Sequence, residues 1–169
     1  MSRLIVGVAD CKCAKSPVAE IITYALGSCI AVVVHDSSSG VGGLLHYMLP
    51  ESSLDQEKAA ANPYMFADTG IPALINDVKE LGGRTRGLTV WVAGGAQVLT
   101  DNGHFQIGRR NYLALRKLLW KQGLMIHAES VGGTSCRTVR LELPTGRVLA
   151  REGGTERELR ARGRGTGGA

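Results

Sequence analysis

At 169 residues, 44% of them apolar, the chain has the length of one globular domain and enough apolar side chains to fill its core. It contains no run of about 18 apolar residues, which excludes a spanning helix; its opening, MSRLIVGVADCKCAKS, lacks a long apolar stretch ending in a small-residue cleavage site, so a cytoplasmic protein without export signal is expected. The net charge is +5, but part of it is Arg157, Arg160, Arg162 and Arg164 set against Glu156 and Glu158; with aromatics at 5% and no basic stripe between them, no nucleic-acid partner is expected.

In chain order, runs rich in Val and Ile predict strands at Leu4–Val8, Ile21–Leu26, Ile30–His35 and Val41–Tyr47. Residues 50–68 read as a polar loop. Ile71, Leu74, Ile75, Val78 and Leu81 recur at helical spacing; Asp68 or Thr69 can cap that helix, Pro72 suits its first turn and Gly82-Gly83 ends it. Leu88–Ala93 is a strand running into Gly94-Gly95. Ile107–Gln122 is a second helix, with Tyr112, Leu115, Leu118 and Leu119 facing the core and Gly123 stopping it. Strands follow at Leu124–Val131, Thr138–Leu143 and Val148–Arg151. Residues 1–152 read as a single domain and 153–169, rich in Gly and Arg, as a disordered tail. About eight strands, joined both by hairpins and through helices, indicate an α+β fold.

Cys29 ends a Leu-Gly-Ser-Cys string, and His46 lies seventeen residues on. If the two strands form a hairpin around DSSSG (36–40) centred between Ser37 and Ser38, facing residues sum to 75 and Cys29 faces His46. Facing residues share a side of the sheet; a shift of one would separate the two. Gly40, Gly42 and Gly43 leave space beside the strand for an approaching chain. A thiol beside an imidazole can attack a carbonyl, the histidine taking its proton. Backbone N–H groups after Gly27-Ser28 could hold the oxyanion, and the Thr23 hydroxyl could orient the ring. From spacing alone the plainer reading is favoured, a small core hydrophobe and a hydrogen-bonded histidine.

The strings TYALGSCIAVVVHD, GGLLHYMLP, VAGGAQ, IGRRN and VGGTSCRTVRLELPTGRVLAR, in this order over residues 3–151, resemble the CheD family of bacterial chemoreceptor glutamine deamidases. The resemblance implies hydrolysis of glutamine side chains on the cytoplasmic helices of methyl-accepting chemotaxis receptors to glutamate and ammonia, through a cysteine thioester, with methylesterase activity in some members. It maps the nucleophile onto Cys29, the histidine onto His46 and the threonine onto Thr23. It also implies packed β-sheets with flanking helices, related to the catalytic domain of the cytotoxic necrotizing factor toxins. A CheC-type phosphatase is the implied protein partner, and no cofactor is implied. The alternative is a regulatory module that binds such a phosphatase without catalysis.

Other residues are weaker signals. Cys11, Cys13 and Cys136, with His35, His104 and His127, match no standard zinc spacing, so no metal is expected; Cys11 and Cys13 could instead serve as a redox pair. Gly94-Gly95-Ala96-Gln97 lacks a nucleotide fingerprint. Close backbone approach explains its glycines, and the resemblance places this loop and Ser28 near the active centre, where Gln97 could touch substrate. Arg109-Arg110 oppose the helix dipole and are expected to meet a carboxylate, or an acidic receptor surface.

Overall fold

Ile30–Asp36 is apolar for five residues, then His35 and Asp36, and all seven are buried. A strand apolar without alternation needs cover on both faces, and the architecture supplies it. The computed structural model describes residues 2–97 and 106–162. Its strands are β1 (Arg3–Val6), β2 (Asp10–Ala14), β3 (Glu20–Leu26), β4 (Ile30–Asp36), β5 (Val41–Tyr47), β6 (Leu88–Gly94), β7 (Ile126–Val131), β8 (Arg137–Glu142), β9 (Arg147–Glu152) and β10 (Thr155–Glu158). Its α-helices are α1 (Gln56–Ala61), α2 (Ala67–Glu80) and α3 (Ile107–Lys121).

The strands form two five-stranded mixed sheets, ordered β1-β3-β8-β9-β10 and β2-β5-β4-β6-β7. One face of the second sheet, with Ala31, Val33, Leu44 and Trp91, packs on Ile21, Leu26, Val139 and Leu141 of the first. Its other face, with Val32, Val34, Leu45 and Val92, lies under Ile71, Leu74 and Val78 of α2 and Leu115 and Leu119 of α3. In β8 burial alternates residue by residue, because only one face of the first sheet is covered. The fold is therefore α+β, as expected.

Several expectations need correction. The first strand stops at Val6: Ala9 takes a left-handed φ of 56°, Asp10 accepts the N–H groups of Gly7 and Cys11, and the chain re-enters as β2 in the other sheet. The loop at 50–68 contains α1 and two 3-10 turns. Neither Asp68 nor Thr69 caps α2, which follows Phe66; the Asp68 carboxylate binds Ser52, and the Thr69 hydroxyl donates to the Pro63 carbonyl.

The hairpin register also differs. Asp36 faces Val41 and Ala31 faces His46, so facing residues sum to 77. The Asp36 carboxylate draws in Ser38 N, Ser38 Oγ and Ser39 Oγ, closing a four-residue loop that ends at left-handed Gly40. The space beside Gly42 and Gly43 is filled from within. A Cβ at Gly42 would meet Leu141 and Leu143 at 2.6 and 2.7 Å, and one at Gly43 would meet Cys13 Sγ at 2.6 Å; only Gly40 stands open.

The disorder expected from residue 153 is also wrong as far as Arg162; residues 163–169 lie outside the described residues. β10 pairs antiparallel with β9. Leu159 is buried, its N–H bonds the Val148 carbonyl, and its own carbonyl accepts from Trp91 Nε1 at 3.2 Å. Leu159→Ala should therefore destabilise the protein by about 2–4 kcal/mol in urea unfolding followed by Trp fluorescence; a loose tail would give no change.

Candidate active site

Thr23, Cys29 and His46 come from three neighbouring stretches of chain. Thr23 lies on β3, and its side chain is buried between the sheets. The β3–β8 register shifts between Thr23 and Leu26, where Ala25 takes a φ of 56°. Such a bulge bends a strand, and here it turns the chain out of the first sheet. Gly27-Ser28-Cys29 then crosses to the start of β4 in the second sheet.

This crossing segment is held through three successive carbonyls. Ala96 N–H donates to Gly27 O at 2.9 Å, Asn111 Nδ2 to Ser28 O at 3.0 Å, and Gly95 N–H to Cys29 O at 2.9 Å. Gly94 has a φ of 109°, and a Cβ there would overlap the Cys29 carbonyl oxygen, so close approach accounts for this glycine. Among the described residues no hydrogen bond uses the N–H of Gly27 or Ser28, and the Cys29 N–H is turned to its own sulfur.

His46 is 1% exposed. The ring sits on the inter-sheet face, opposite Ala31 on β4 and Asp10 on β2. Cys29 lies two residues before Ala31 and packs on the same inter-sheet core, so the two site residues share a face on a diagonal. Direct opposition, as the sum of 75 required, does not occur.

The Thr23 hydroxyl is 2.8 Å from both Val6 O and His46 Nδ1. A hydroxyl has one proton. Donated to the Val6 carbonyl, it leaves the Thr23 oxygen as acceptor, so His46 carries its proton on Nδ1 and a lone pair on Nε2. Nε2 is buried and has no partner among the described residues. Burial pushes the His46 pKa down to about 4, against a smaller upward pull from the Asp10 carboxylate. Burial also raises the Cys29 thiol, partly offset by its own backbone N–H. At neutral pH the two groups are stored as a neutral thiol and a neutral base.

Three contributors were not singled out in the sequence. Asn111, read there only as part of Arg109-Arg110-Asn111, is fully buried. Its Nδ2 joins Ser28 O to Met48 O, the latter at 2.8 Å, and Tyr47 Oη donates to its carbonyl at 2.6 Å. Arg137 is buried and donates to Gly94 O and Gly132 O, steadying the glycine loop from the first sheet. Asp10 faces His46 across β2 and β5. An acid directly after a left-handed alanine had no visible link to a histidine thirty-six residues away.

The remaining candidates are dispersed. Gln97 is exposed and lines a cavity of about 290 Å³ with Gly95, Gly108 and Arg109; neither this cavity nor the larger 840 Å³ groove beside α3 and β7 is lined by Cys29 or His46. Arg109 and Arg110 are exposed and form no ion pair among the described residues, against the expected salt bridge. His35 bonds the Leu143 carbonyl at 3.1 Å, His127 stacks edge-on with Trp91, Cys136 is exposed, and His104 lies outside the described residues.

Buried Thr23 and His46 and half-buried Cys29 thus lie on one inter-sheet face. The profile of the family described as CheD chemotactic sensory transduction matches residues 48–152. The chain belongs to the CheD family. It is 50% identical to a probable chemoreceptor glutamine deamidase CheD of Solibacter usitatus, covering 94% of this chain and 94% of that one. A relative of the same description from Syntrophus aciditrophicus is 48% identical over 94% of this chain and 100% of its own. One from Methanococcus maripaludis is 42% identical, covering 89% and 95%. A match as long as the first must include the strands that carry Thr23, Cys29 and His46. No described helix of this CheD protein is long and apolar enough to cross a membrane.

The buried imidazole makes a prediction for stability. Between pH 6.5, the ordinary histidine value, and about 4, the unfolded chain binds a proton that native His46 refuses. Stability therefore falls as pH drops through that window, by on the order of 3 kcal/mol, and this contribution levels off below it. Chemical denaturation at several pH values should show His46→Gln with a shallower loss over the same interval; parallel curves would place the imidazole in water.

Proposed function

We propose that this CheD protein hydrolyses glutamine side chains on the cytoplasmic helices of chemoreceptors to glutamate and ammonia, with Cys29 as nucleophile, His46 as base and acid, and Thr23 holding the ring. The relatives are described as chemoreceptor glutamine deamidases. The observation that carries the reading is the Thr23–His46 hydrogen bond, which leaves Nε2 unprotonated in the layer where Cys29 packs.

In this reading Nε2 takes the thiol proton as the sulfur attacks the amide carbon. The negative charge moves to the amide oxygen, and the unused N–H groups of Gly27 and Ser28 are its donors. Each such donor contributes about 2.7–4 kcal/mol in comparable sites. Imidazolium, favoured by the facing Asp10 carboxylate, gives its proton to the nitrogen as the C–N bond breaks. Ammonia leaves and a thioester remains. Water then loses a proton to His46 and attacks the thioester; the C–S bond breaks, the thiolate is reprotonated, and glutamate departs. Every atom and charge balances without a cofactor.

The methyl ester of the same glutamate offers the same carbonyl, so ester cleavage belongs to the proposal. Gln97 and Arg109, which line the cavity beside the pinned loop, are the proposed contacts to the helical substrate. A CheC-type phosphatase and a fold relationship to the necrotizing-factor toxins follow from the resemblance, and two packed sheets are compatible with the latter.

Incubating receptor with the enzyme should raise its mass by about 1 Da per converted glutamine, and Cys29→Ala should give no gain. Thr23→Val should keep the fold and lower kcat about 100-fold, because the tautomer is no longer fixed. If receptor mass never changes while a CheC-type partner still binds Cys29→Ala, the chain is a binding module.

A further inference from the structure

Along β2, Asp10 faces His46, so the alternating Cys11 and Cys13 point to the opposite side of the sheet, toward α2. There they meet Asp77. The two sulfurs and a carboxylate oxygen of Asp77 all lie within 4.8 Å of one another, and all three residues are half-buried. We infer that Cys11, Cys13 and Asp77 bind a thiophilic divalent cation of the zinc class, with a fourth position open to water.

The surroundings are shaped for such a cluster. Tyr64 Oη donates to Asp77 Oδ2 at 2.8 Å, orienting the carboxylate as an outer partner orients a metal ligand. Gly43 faces Cys13 across the ladder, and a Cβ there would stand 2.6 Å from its sulfur; the glycine makes room for the thiol. Bond lengths of about 2.3 Å to sulfur and 2.1 Å to oxygen put tetrahedral ligands about 3.6–3.8 Å apart, so side-chain rotation is enough to close the cluster on an ion. Two thiols select zinc-class ions over magnesium or calcium, which prefer oxygen shells. Binding exchanges two thiol protons for the cation.

The rival use of this pair is a disulfide. Residues i and i+2 of an extended strand are about 6.6 Å apart with parallel Cβ vectors, whereas a disulfide needs Cβ atoms about 3.8 Å apart. The whole of β2 is paired with β5. Oxidation would have to pull the strand from its ladder, while an ion takes the thiols where they stand.

Reduced, chelator-stripped protein is titrated with Co²⁺. Thiolate-to-cobalt charge-transfer absorption should saturate at one equivalent and be displaced by Zn²⁺. The band should vanish in the Cys11→Ser, Cys13→Ser double variant, and persist unchanged in Cys29→Ala and in Cys136→Ser. Tyr64→Phe, which leaves all three ligands in place, should weaken binding about 10-fold or more; it carries the test if the double variant does not fold by circular dichroism. Absence of the band, its survival in a folded double variant, its loss with Cys29 or Cys136, or undiminished affinity in Tyr64→Phe would overturn the site. So would a loss of about 2 Da under mild oxidant in a protein that never binds cobalt.

Discussion

Three consecutive carbonyls, of Gly27, Ser28 and Cys29, each accept a hydrogen bond from a different place: Ala96, Asn111 and Gly95. The segment joins two sheets, so it has no ladder of its own to hold it. Buried backbone groups without partners would be expensive, and here the partners come from the loop after β6 and from α3. With all three carbonyls bonded, the N–H groups of Gly27 and Ser28 remain unclaimed among the described residues. The segment is tied down while two of its donors stay free.

The tie reaches further through the residues that make it. Asn111 also holds Met48 O, two residues beyond His46, and so links the Cys29 segment to the end of β5. Arg137 brings the first sheet to bear on Gly94, whose neighbour Gly95 bonds Cys29 O. Thr23 closes the circuit from β3, joining β1 at Val6 to the ring of His46. Helix α3, both sheets and the glycine loop converge on a few polar contacts. This explains why so small a candidate site draws on strings spread along most of the chain.

How much of this the sequence reveals depends on which force places each residue. Burial placed β4, β5 and α3, and burial leaves a periodicity that can be counted. β2 and β10 were missed because DCKCA and TERE are polar edge strands, held by ladder bonds that imprint no apolar pattern. The hairpin register was misread by two because the Asp36 carboxylate draws in Ser38 and Ser39 and so sets a loop centred one residue later. That error kept the parity, so Cys29 and His46 still share a face. Asn111 and Asp77 act through contacts with residues more than fifty positions away, and no local spacing marks them.

The electrostatics of the site follow from its depth. An imidazolium–thiolate pair in this layer would require two buried charges, and such pairs recover their desolvation only with further hydrogen bonds. His46 Nε2 has no partner among the described residues, and burial disfavours charge on both groups. Neutral storage is the lower-energy resting state. In the proposed reaction, charge then appears only once an amide carbonyl is present to receive it. In that reaction the unclaimed N–H groups of Gly27 and Ser28 are the proposed oxyanion donors, and Asp10 favours the imidazolium from the neighbouring strand. In the proposed reaction the stabilisation comes from donors fixed in advance, so an intact loop matters as much as the thiol it carries.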